Sequence, residues 1–508
     1  MAGNEHESAC GRHGVPARVV GRAAHRVVHT QADFDRMSAK ITAGAQPWKG
    51  SFDQLGNSPF AQTWWPAYNI DVIVRGDAGN NYTRSQQDAQ AIYQLSMRWK
   101  LTGNTAYADK AVEIANVWSD LSGLGGNTNV SLAAGICGYL FASGGEILST
   151  YPGWAPSEKQ AYKNMMMRVF YPANFDFLWR HHDTFNTKGG STHYRLNWDT
   201  ANMASMAAIG ILCDNKAVYQ QAVDYFKNGT GNGRVDRAAW YVHPDGTAQT
   251  EESGRDQPHN MGGWYAMALF CQMAWNQGDD LFGYDNNRVL RAYEYNARYN
   301  LWNDVPWVFH RNASLTYTET LSGAGRGLGG YPSYELIYNH YANVKGIAAP
   351  WSKLAMGVLR PEWVPGPGGH PSAMDNLGLG SLTYARDATA VPAAPVVSGQ
   401  WSKNEVKLTW WGTCSATSYQ VQRAASEAGP YTLIGTAVEP ELSFTDPNVS
   451  NTTAYHYKVV AVTPSGNIES APLAVNRSLV TRYTFEGNLQ DSVGTRHGVG
   501  KGGVSLPG

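Results

Sequence analysis

Three polar stretches of this 508-residue chain hold groups able to bind or move protons: NWDTANM at residues 197–203, TEESGRDQPHN at 250–260 and RNASLTYTE at 311–319. In the last of them Arg311 lies six residues before Tyr317. A tyrosine acts as a base only as its phenolate, and nearby positive charge lowers the phenol from its usual value of about 10. Arg311 is close enough in sequence to supply that charge. Asn197 offers an amide and His259 an imidazole. Together an Arg, a His, an Asn and a Tyr suit β-elimination at a uronic acid. Hydrogen bonds that neutralise the C6 carboxylate acidify the C5 proton, a task for Asn197 and His259. A base then removes that proton, and an acid protonates O4 as it leaves. In β-1,4-linked mannuronate or glucuronate the C5 proton and O4 lie on the same side of the ring. Tyr317 can therefore serve as both base and acid.

Each residue has a plainer role open to it. Tyr317 could be one of many aromatics lining a helical domain. Asn197 precedes an apolar helical run and suits an N-cap. His259 could simply start a helix, and His193 competes with it for the site. Arg255 could touch substrate or pair with Glu252 in the same stretch. Gln257 could bind sugar hydroxyls, and Trp198 could stack on a sugar or pack in the core. Tyr295 and Tyr299 stand at helical spacing, which favours the core, with Tyr299 kept as a substrate-binding candidate. Arg326, in the glycine-rich GAGRGLGG, could contact a substrate carboxylate. Those glycines are no dinucleotide signature, because no strand precedes them. A glycoside hydrolase needs two placed carboxylates, and Asp199, Glu251, Glu252, Asp256 and Glu319 are available. A non-catalytic polysaccharide-binding protein is the third alternative.

The elements that must position these groups are helical. Residues 86–101 carry Ala89, Ile92, Tyr93, Met97 and Leu101, followed by Gly103 and Asn104. That is an amphipathic helix with a C-terminal stop. The pattern returns over 107–121, 132–150, 157–170 (stopped by Pro172), 200–213, 217–227, 261–276, 288–301 and 334–344. Long polar loops join these runs and no strands separate them. The arrangement predicts antiparallel helix pairs closing into an α/α toroid, with a cleft built from loops at one end.

The net charge of -1 and pI near 6.9 argue against a nucleic-acid protein working through a broad basic face. The 18 Trp and 28 Tyr, beside only 16% charged residues, suit a large helical core and, near a cleft, platforms for sugar rings. The five cysteines have no metal-site or disulfide spacing, and neither metal nor cofactor is expected. No apolar run reads as a membrane span, and the first residues hold no signal-peptide apolar region. The modular C-terminal part nevertheless favours a secreted, periplasmic or cell-surface protein acting on an acidic polysaccharide.

The composition changes after Asp387. Residues 388–399 (ATAVPAAPVVSG) read as a linker, and 400–477 as a β-sandwich of short alternating strands. Trp410 in its second strand and YHYKVVAVTPSGNIES at 455–470 make this part resemble a fibronectin type III module. Residues 478–508, with YTFEGNLQDS, resemble the opening of a laminin-G or concanavalin-like jelly roll, too short to complete the strands that such a fold needs. A loosely ordered tail is expected there, and a flexible leader over 1–25.

Within the helical domain of residues 26–387, a family resemblance over roughly residues 30–385 sharpens the reading. RNASLTY is similar to the Arg-containing motif that ends in the catalytic Tyr of α/α-toroid alginate lyases. NWDTANM resembles the segment carrying their carboxylate-neutralising Asn. ESGRDQPH looks like a hallmark of the superfamily branch that includes polysaccharide lyase family 38. The resemblance implies metal-independent cleavage of alginate or glucuronan. Tyr317 would then be base and acid, Arg311 would tune it, and Asn197 with His259 would neutralise the carboxylate. One departure stands out. Family 5 alginate lyases carry an Asn–His pair where this chain has Asn197–Trp198, so the histidine must come from elsewhere.

Overall fold

The structure, a computed structural model, describes residues 27–476 apart from 77, 127–128, 189–193, 315–316, 330–332, 366–373, 389–390, 403 and 451–452. Of residues 181–188 and of Tyr317 it describes the backbone. The leader, the jelly-roll-like tail and His193 lie outside the described residues.

The helices run α1 (Gln31–Thr42), α2 (Trp48–Asn57), α3 (Tyr82–Thr102), α4 (Thr105–Trp118), α5 (Val130–Leu148), α6 (Pro156–Met165), α7 (Tyr171–Lys188), α8 (Leu196–Leu212), α9 (Lys216–Asn228), α10 (Val235–Ala238), α11 (Gln257–Gln277), α12 (Tyr284–Asn300), α13 (Tyr334–Tyr338), α14 (Pro350–Leu359) and α15 (Gly380–Thr383). Local chemistry starts several of them. Thr30 and Asp33 form a capping box at α1, and the side chains of Asn104, Asn215 and Asp256 accept backbone N–H groups at the starts of α4, α9 and α11. Helices α3, α5, α8 and α11 pack side by side, and α4, α9 and α12 lie against them from outside. The inner helices bury nearly every side chain along much of their length; in α5 and α8 apolar residues accordingly run all round and not in one stripe, whereas α3 also buries Gln86, Asp88, Gln90 and Gln94. The ring is fastened where its ends meet. Arg386 pairs with Asp33 at 3.0 Å, Lys40 with Asp387 at 2.6 Å, and Arg36 donates to the Thr383 carbonyl. This is the expected α/α toroid.

Several expectations need correction. Helix α5 is long and apolar enough to cross a bilayer, yet 89% of that window is buried inside the domain, so it is a core helix. Pro172 does not stop the helix before it. A π-helical turn at Met166–Phe170 joins α6 to α7, and its wider backbone accommodates the proline that a regular α-helix would exclude. The helix expected over 288–301 is present in α12, which ends at Asn300; before it, Asp285, Asn286 and Asn287 are not helical and take φ of 48°, 55° and 56°. Asp and Asn tolerate this left-handed region better than most residues.

Short strands occur in the loops: β1 (Val72–Arg75) with β2 (Gly123–Gly126) in parallel, and the antiparallel pairs β3 (Tyr241–Val242) with β4 (Ala248–Gln249) and β5 (His310–Arg311) with β6 (Tyr317–Thr318). The C-terminal part is a β-sandwich of β7 (Val396–Ser402), β8 (Glu405–Trp411), β9 (Ser418–Ala424), β10 (Thr432–Ala437), β11 (Ser443–Asp446), β12 (Tyr455–Thr463), β13 (Gly466–Glu469) and β14 (Leu473–Val475). One sheet has the order β11–β8–β7, the other β10–β9–β12–β13, with β14 also on β12. Strand β7 begins at Val396, inside the stretch expected to be linker. The sandwich has its own core around Trp410, Tyr419 and Tyr457.

The sandwich is docked on the toroid. Ala348 N–H donates to the Gly412 carbonyl at 2.9 Å, Cys414 N–H to that of Gly346 at 3.0 Å, and Ile347 bridges to Thr413. Trp411 donates from Nε1 to Asn286 Oδ1 at 2.9 Å, and the Arg291 guanidinium lies 4.4 Å from its ring.

Candidate active site

The site is assembled around the first turn of α8. Its free backbone N–H groups are met by two buried carboxylates from the TEESGRDQPHN stretch. Leu196 N–H donates to Glu251 Oε2 and Asn197 N–H to Glu252 Oε2, each at 2.9 Å. Negative charge at a helix N-terminus is favourable in this way. Glu252 also pairs with Arg255 at 2.7 Å. Glu251 accepts a hydrogen bond from Asn312 Nδ2 at 2.5 Å. Burial first, and then the neighbouring Glu252 charge, push Glu251 above the usual carboxylate range against the pull of Arg195, Asn312 and the Leu196 N–H.

Asn312 belongs to the RNASLTY stretch, so the same carboxylate pair fixes the third motif. Within it, β5 and β6 pair Arg311 with Tyr317 and His310 with Thr318. The hairpin lies flat on Gly254. A Cβ there would be 1.7 Å from Thr318 Cγ2, 2.8 Å from the Thr320 carbonyl oxygen and 2.9 Å from the Trp307 ring. Ser322 N–H donates to the Ser253 carbonyl at 3.1 Å, and Gln257 N–H to that of Ala324 at 2.9 Å. The three polar stretches of the sequence are thus one structural unit.

Helix α11 supplies the histidine. Asp256 caps it, accepting from the His259 N–H at 2.8 Å, and both carboxylate oxygens lie 2.8 Å from His259 Nδ1. Burial alone would raise Asp256, but the His259 bonds and charge, with help from Arg255, hold it below the usual carboxylate range. With Nδ1 turned to Asp256, the other ring nitrogen is left without a hydrogen-bond partner among the described residues.

His259 and Asn197, brought from separate helices, line one cavity of about 440 Å³, a size typical of ligand sites. Asn197 makes no side-chain hydrogen bond among the described residues, and its Oδ1 is buried without a partner. A buried polar atom left so is costly unless a ligand meets it. Arg75, Tyr82, Gln86 and Asp375 complete the polar lining. Gln86 Nε2 donates to Asp375 Oδ1 at 2.5 Å, and Tyr82 Oη donates to the same oxygen at 3.3 Å. Loss of water around it raises the Asp375 carboxyl to about 6, against the opposing effects of Arg75, Tyr82, Gln86 and His259. Burial and then the Asp375 charge push the Tyr82 phenol well above its ordinary value. Tyr82 therefore keeps its proton and is a hydrogen-bond donor, not a base.

Other expected site residues sit elsewhere. Trp198 is buried against Phe177 and Tyr194, at ring separations of 5.8 and 4.9 Å, and is core. Gln257 is buried, its amide donating to the Ser253 and Ser322 carbonyls and accepting from Asn300. It braces the motif and has no free group for a sugar. Tyr299 is buried, donating to the Ser322 carbonyl at 3.1 Å. Arg326 donates to the carbonyls of Tyr299 and Asn303 at the end of α12 and lies 3.9 Å from the Tyr299 ring. It anchors its loop. Arg255 is held by Glu252 and Asp256. Tyr295 is buried, donating to the Pro306 carbonyl. Arg311 is exposed on β5.

Sequence reasoning missed Arg75, Tyr82, Gln86 and Asp375. The apolar VIVR followed by Gly76 carried a weak strand-then-turn signal for Arg75. Asp375, next to a Gly- and Pro-rich stretch, carried none. Of the five carboxylates open to a hydrolase, Glu319 is exposed and the other four are engaged. Glu251 and Glu252 hold α8, Asp256 caps α11, and Asp199 accepts from Tyr225 Oη at 2.8 Å and Gly233 N–H at 2.9 Å in the core.

The cleft gathers an amide, an imidazole and a guanidinium, and the class of the helical part, a polysaccharide lyase, rests on its family. Its family is identified by a match of residues 61–307 to the alginate lyase family model: the chain carries an alginate lyase domain. That match stops before Arg311 and Tyr317. Among solved structures, alginate lyase A1-III from Sphingomonas species A1 is 11% identical, covering 72% of this chain and 98% of its own, with a TM-score of 0.48. An alginate lyase from Bacteroides ovatus is 13% identical, covering 54% and 82%, with a TM-score of 0.37. Over the β-sandwich a Fn3-like protein from Clostridium thermocellum is 34% identical, covering 17% of this chain and 96% of its own, with a TM-score of 0.16. No curated protein matches the chain.

Proposed function

We propose that the chain cleaves a β-1,4-linked uronic acid polymer, glucuronan or the mannuronate blocks of alginate, by syn β-elimination. The observation that carries this reading is the meeting of Asn197 and His259 in one cleft, with the Arg311–Tyr317 hairpin fastened to the same turn through Asn312 and Gly254.

Asn197 donates from its amide to the C6 carboxylate of the bound uronate. His259, oriented by Asp256, donates from Nε2 when its ring carries both protons. The two draw negative charge from the carboxylate and stabilise the carbanion-like state at C5. Tyr317, opposite Arg311 in the β5–β6 pairing, takes the C5 proton as its phenolate. The electron pair left behind forms the C4–C5 double bond as the C4–O4 bond breaks. The same phenol returns its proton to O4. The products are a 4,5-unsaturated uronate end and a shortened polymer. No carboxylate pair is required, in keeping with the structural engagement of Glu251, Glu252, Asp256 and Asp199. A secreted or cell-surface setting is part of the same proposal, because the substrate is an extracellular gel-forming polymer.

The test is ultraviolet absorbance of the unsaturated product against polymannuronate, polyguluronate, glucuronan, hyaluronan and chondroitin, with Tyr317→Phe alongside. A rise on polymannuronate or glucuronan that falls at least about 100-fold in the variant is expected. New reducing ends without absorbance would replace the lyase with a hydrolase. An active Tyr317→Phe would remove Tyr317 from the chemistry.

A further inference from the structure

Among the described residues that line the cleft, one cation is not used by the elimination above. Arg75 ends β1, whose parallel register with β2 sets it opposite Gly126. The chain turns immediately after it. Gly76 has φ of +83°, and a Cβ there would stand 2.3 Å from Asn129 Nδ2, so only glycine fits the turn. The backbone that presents Arg75 is therefore tightly defined. Its guanidinium lies 4.9 Å from the centroid of the Tyr82 ring. Among the described residues it has no hydrogen bond and no ion pair. Asp375 contributes a field but its Oδ1 is held by Gln86 and Tyr82. This contrasts with Arg255 and Arg326, whose donors already meet protein acceptors. A guanidinium lining a ligand-sized cleft, stacked on an aromatic ring with its donors open, is built to take a carboxylate in bidentate fashion.

Asn197 and His259 account for one carboxylate, that of the residue losing its C5 proton. The cavity of about 440 Å³ is more than one sugar ring fills. We propose that Arg75 binds the carboxylate of the uronate next to the one being deprotonated, so that the cleft selects polymers with uronates in consecutive positions over those alternating uronate with hexosamine. This rests on the lyase reading above. It adds a specificity determinant: a polymer with a carboxylate on every residue satisfies both carboxylate positions of the cleft, and an alternating polymer satisfies one and leaves Arg75 desolvated without an anion.

The experiment compares wild type, Arg75→Gln and Arg75→Lys in Michaelis analysis on a homopolymeric uronan and on hyaluronan, with melting curves to verify folding. A hydrogen-bonded ion pair lost on substrate binding raises KM about 10- to 100-fold. The expected result is that rise for Arg75→Gln on the uronan, with kcat changed less than about threefold, an intermediate KM for Arg75→Lys, and a matching fall in preference for the uronan. A fall in kcat at unchanged KM, or equal losses on both polymers, overturns the proposal. Calorimetric binding of a uronate tetrasaccharide to Tyr317→Phe, with and without Arg75→Gln, separates this inference from the lyase reading. If wild type cleaves no polymer, the lyase reading falls. Arg75 is then judged on binding alone, where weaker binding in the double variant upholds it. Equal binding, or none to Tyr317→Phe, overturns it.

Discussion

Replacing Gly254 by alanine adds one methyl group at the seam between the ESGRDQPH turn and the hairpin carrying Tyr317. The new Cβ would lie 1.7 Å from Thr318 Cγ2 and 2.8 Å from the Thr320 carbonyl oxygen. An ordinary carbon–carbon contact is about 3.5 Å, so the methyl of Thr318 must retreat by roughly 1.8 Å. Rotation of Thr318 can clear part of this, but the Thr320 oxygen is backbone and must move by a few tenths of an ångström whatever the rotamer. The hairpin is therefore expected to lift off the turn by about 0.5–1 Å. Overpacking of this kind costs about 1–3 kcal/mol of stability. A misplacement near 1 Å at a reacting group costs about 100-fold in rate. Gly254→Ala should fold, melt a few degrees lower and lose about 100-fold in kcat on the preferred uronan with little change in KM. The double variant Gly254→Ala, Thr318→Ser, which removes the nearest methyl, should recover part of the loss. The assay is the product absorbance described above, paired with calorimetry. Gly254→Ala with activity within twofold of wild type would refute the placement of the hairpin as a catalytic element.

Asp256→Asn keeps a side chain that caps α11 well but removes the charge facing His259 Nδ1, so kcat should drop about 10- to 100-fold with a small change in melting temperature. An unchanged rate would show that His259 needs no orienting carboxylate. Asp375, raised from 3.8 to about 6 by burial, binds its proton more tightly in the folded than in the unfolded chain. Its contribution to stability is whole below about pH 3.8 and is lost as pH rises through about 6. The melting temperature of Asp375→Asn relative to wild type should therefore increase between about pH 4 and about pH 7. A difference that stays constant over that range would contradict the argument.

The fold was legible where periodicity was strong. Residues 86–101 and 261–276 lie within α3 and α11, and 200–213 runs one residue past the end of α8, because apolar residues recur at helical spacing over many turns. The alternation around Trp410 likewise gives β8. Local rules failed where a neighbouring turn changed their premise, as at Pro172 beside a π-helical turn. At the site, Asn197 and His259 were legible because their motifs are dense in polar groups that a core would not tolerate without purpose. Density also misled: Gln257 and Trp198 stand in the same motifs, and they are buried behind the residues that line the cleft. Arg75 and Asp375 come from loops far away in the chain, and only the closure of the ring brings them to His259. Nothing local in their sequence records that closure.

The joint between the toroid and the β-sandwich bears on how the molecule would behave on a viscous substrate. Residues 346–348 run beside 412–414 with strand-like hydrogen bonds, and Trp411 is clasped by Asn286 and Arg291. A single nick in the 388–395 connection would leave the two halves fastened. The sandwich is therefore no tether on which the cleft swings. It is a keel, and it would set the angle at which the cleft meets a polymer strand.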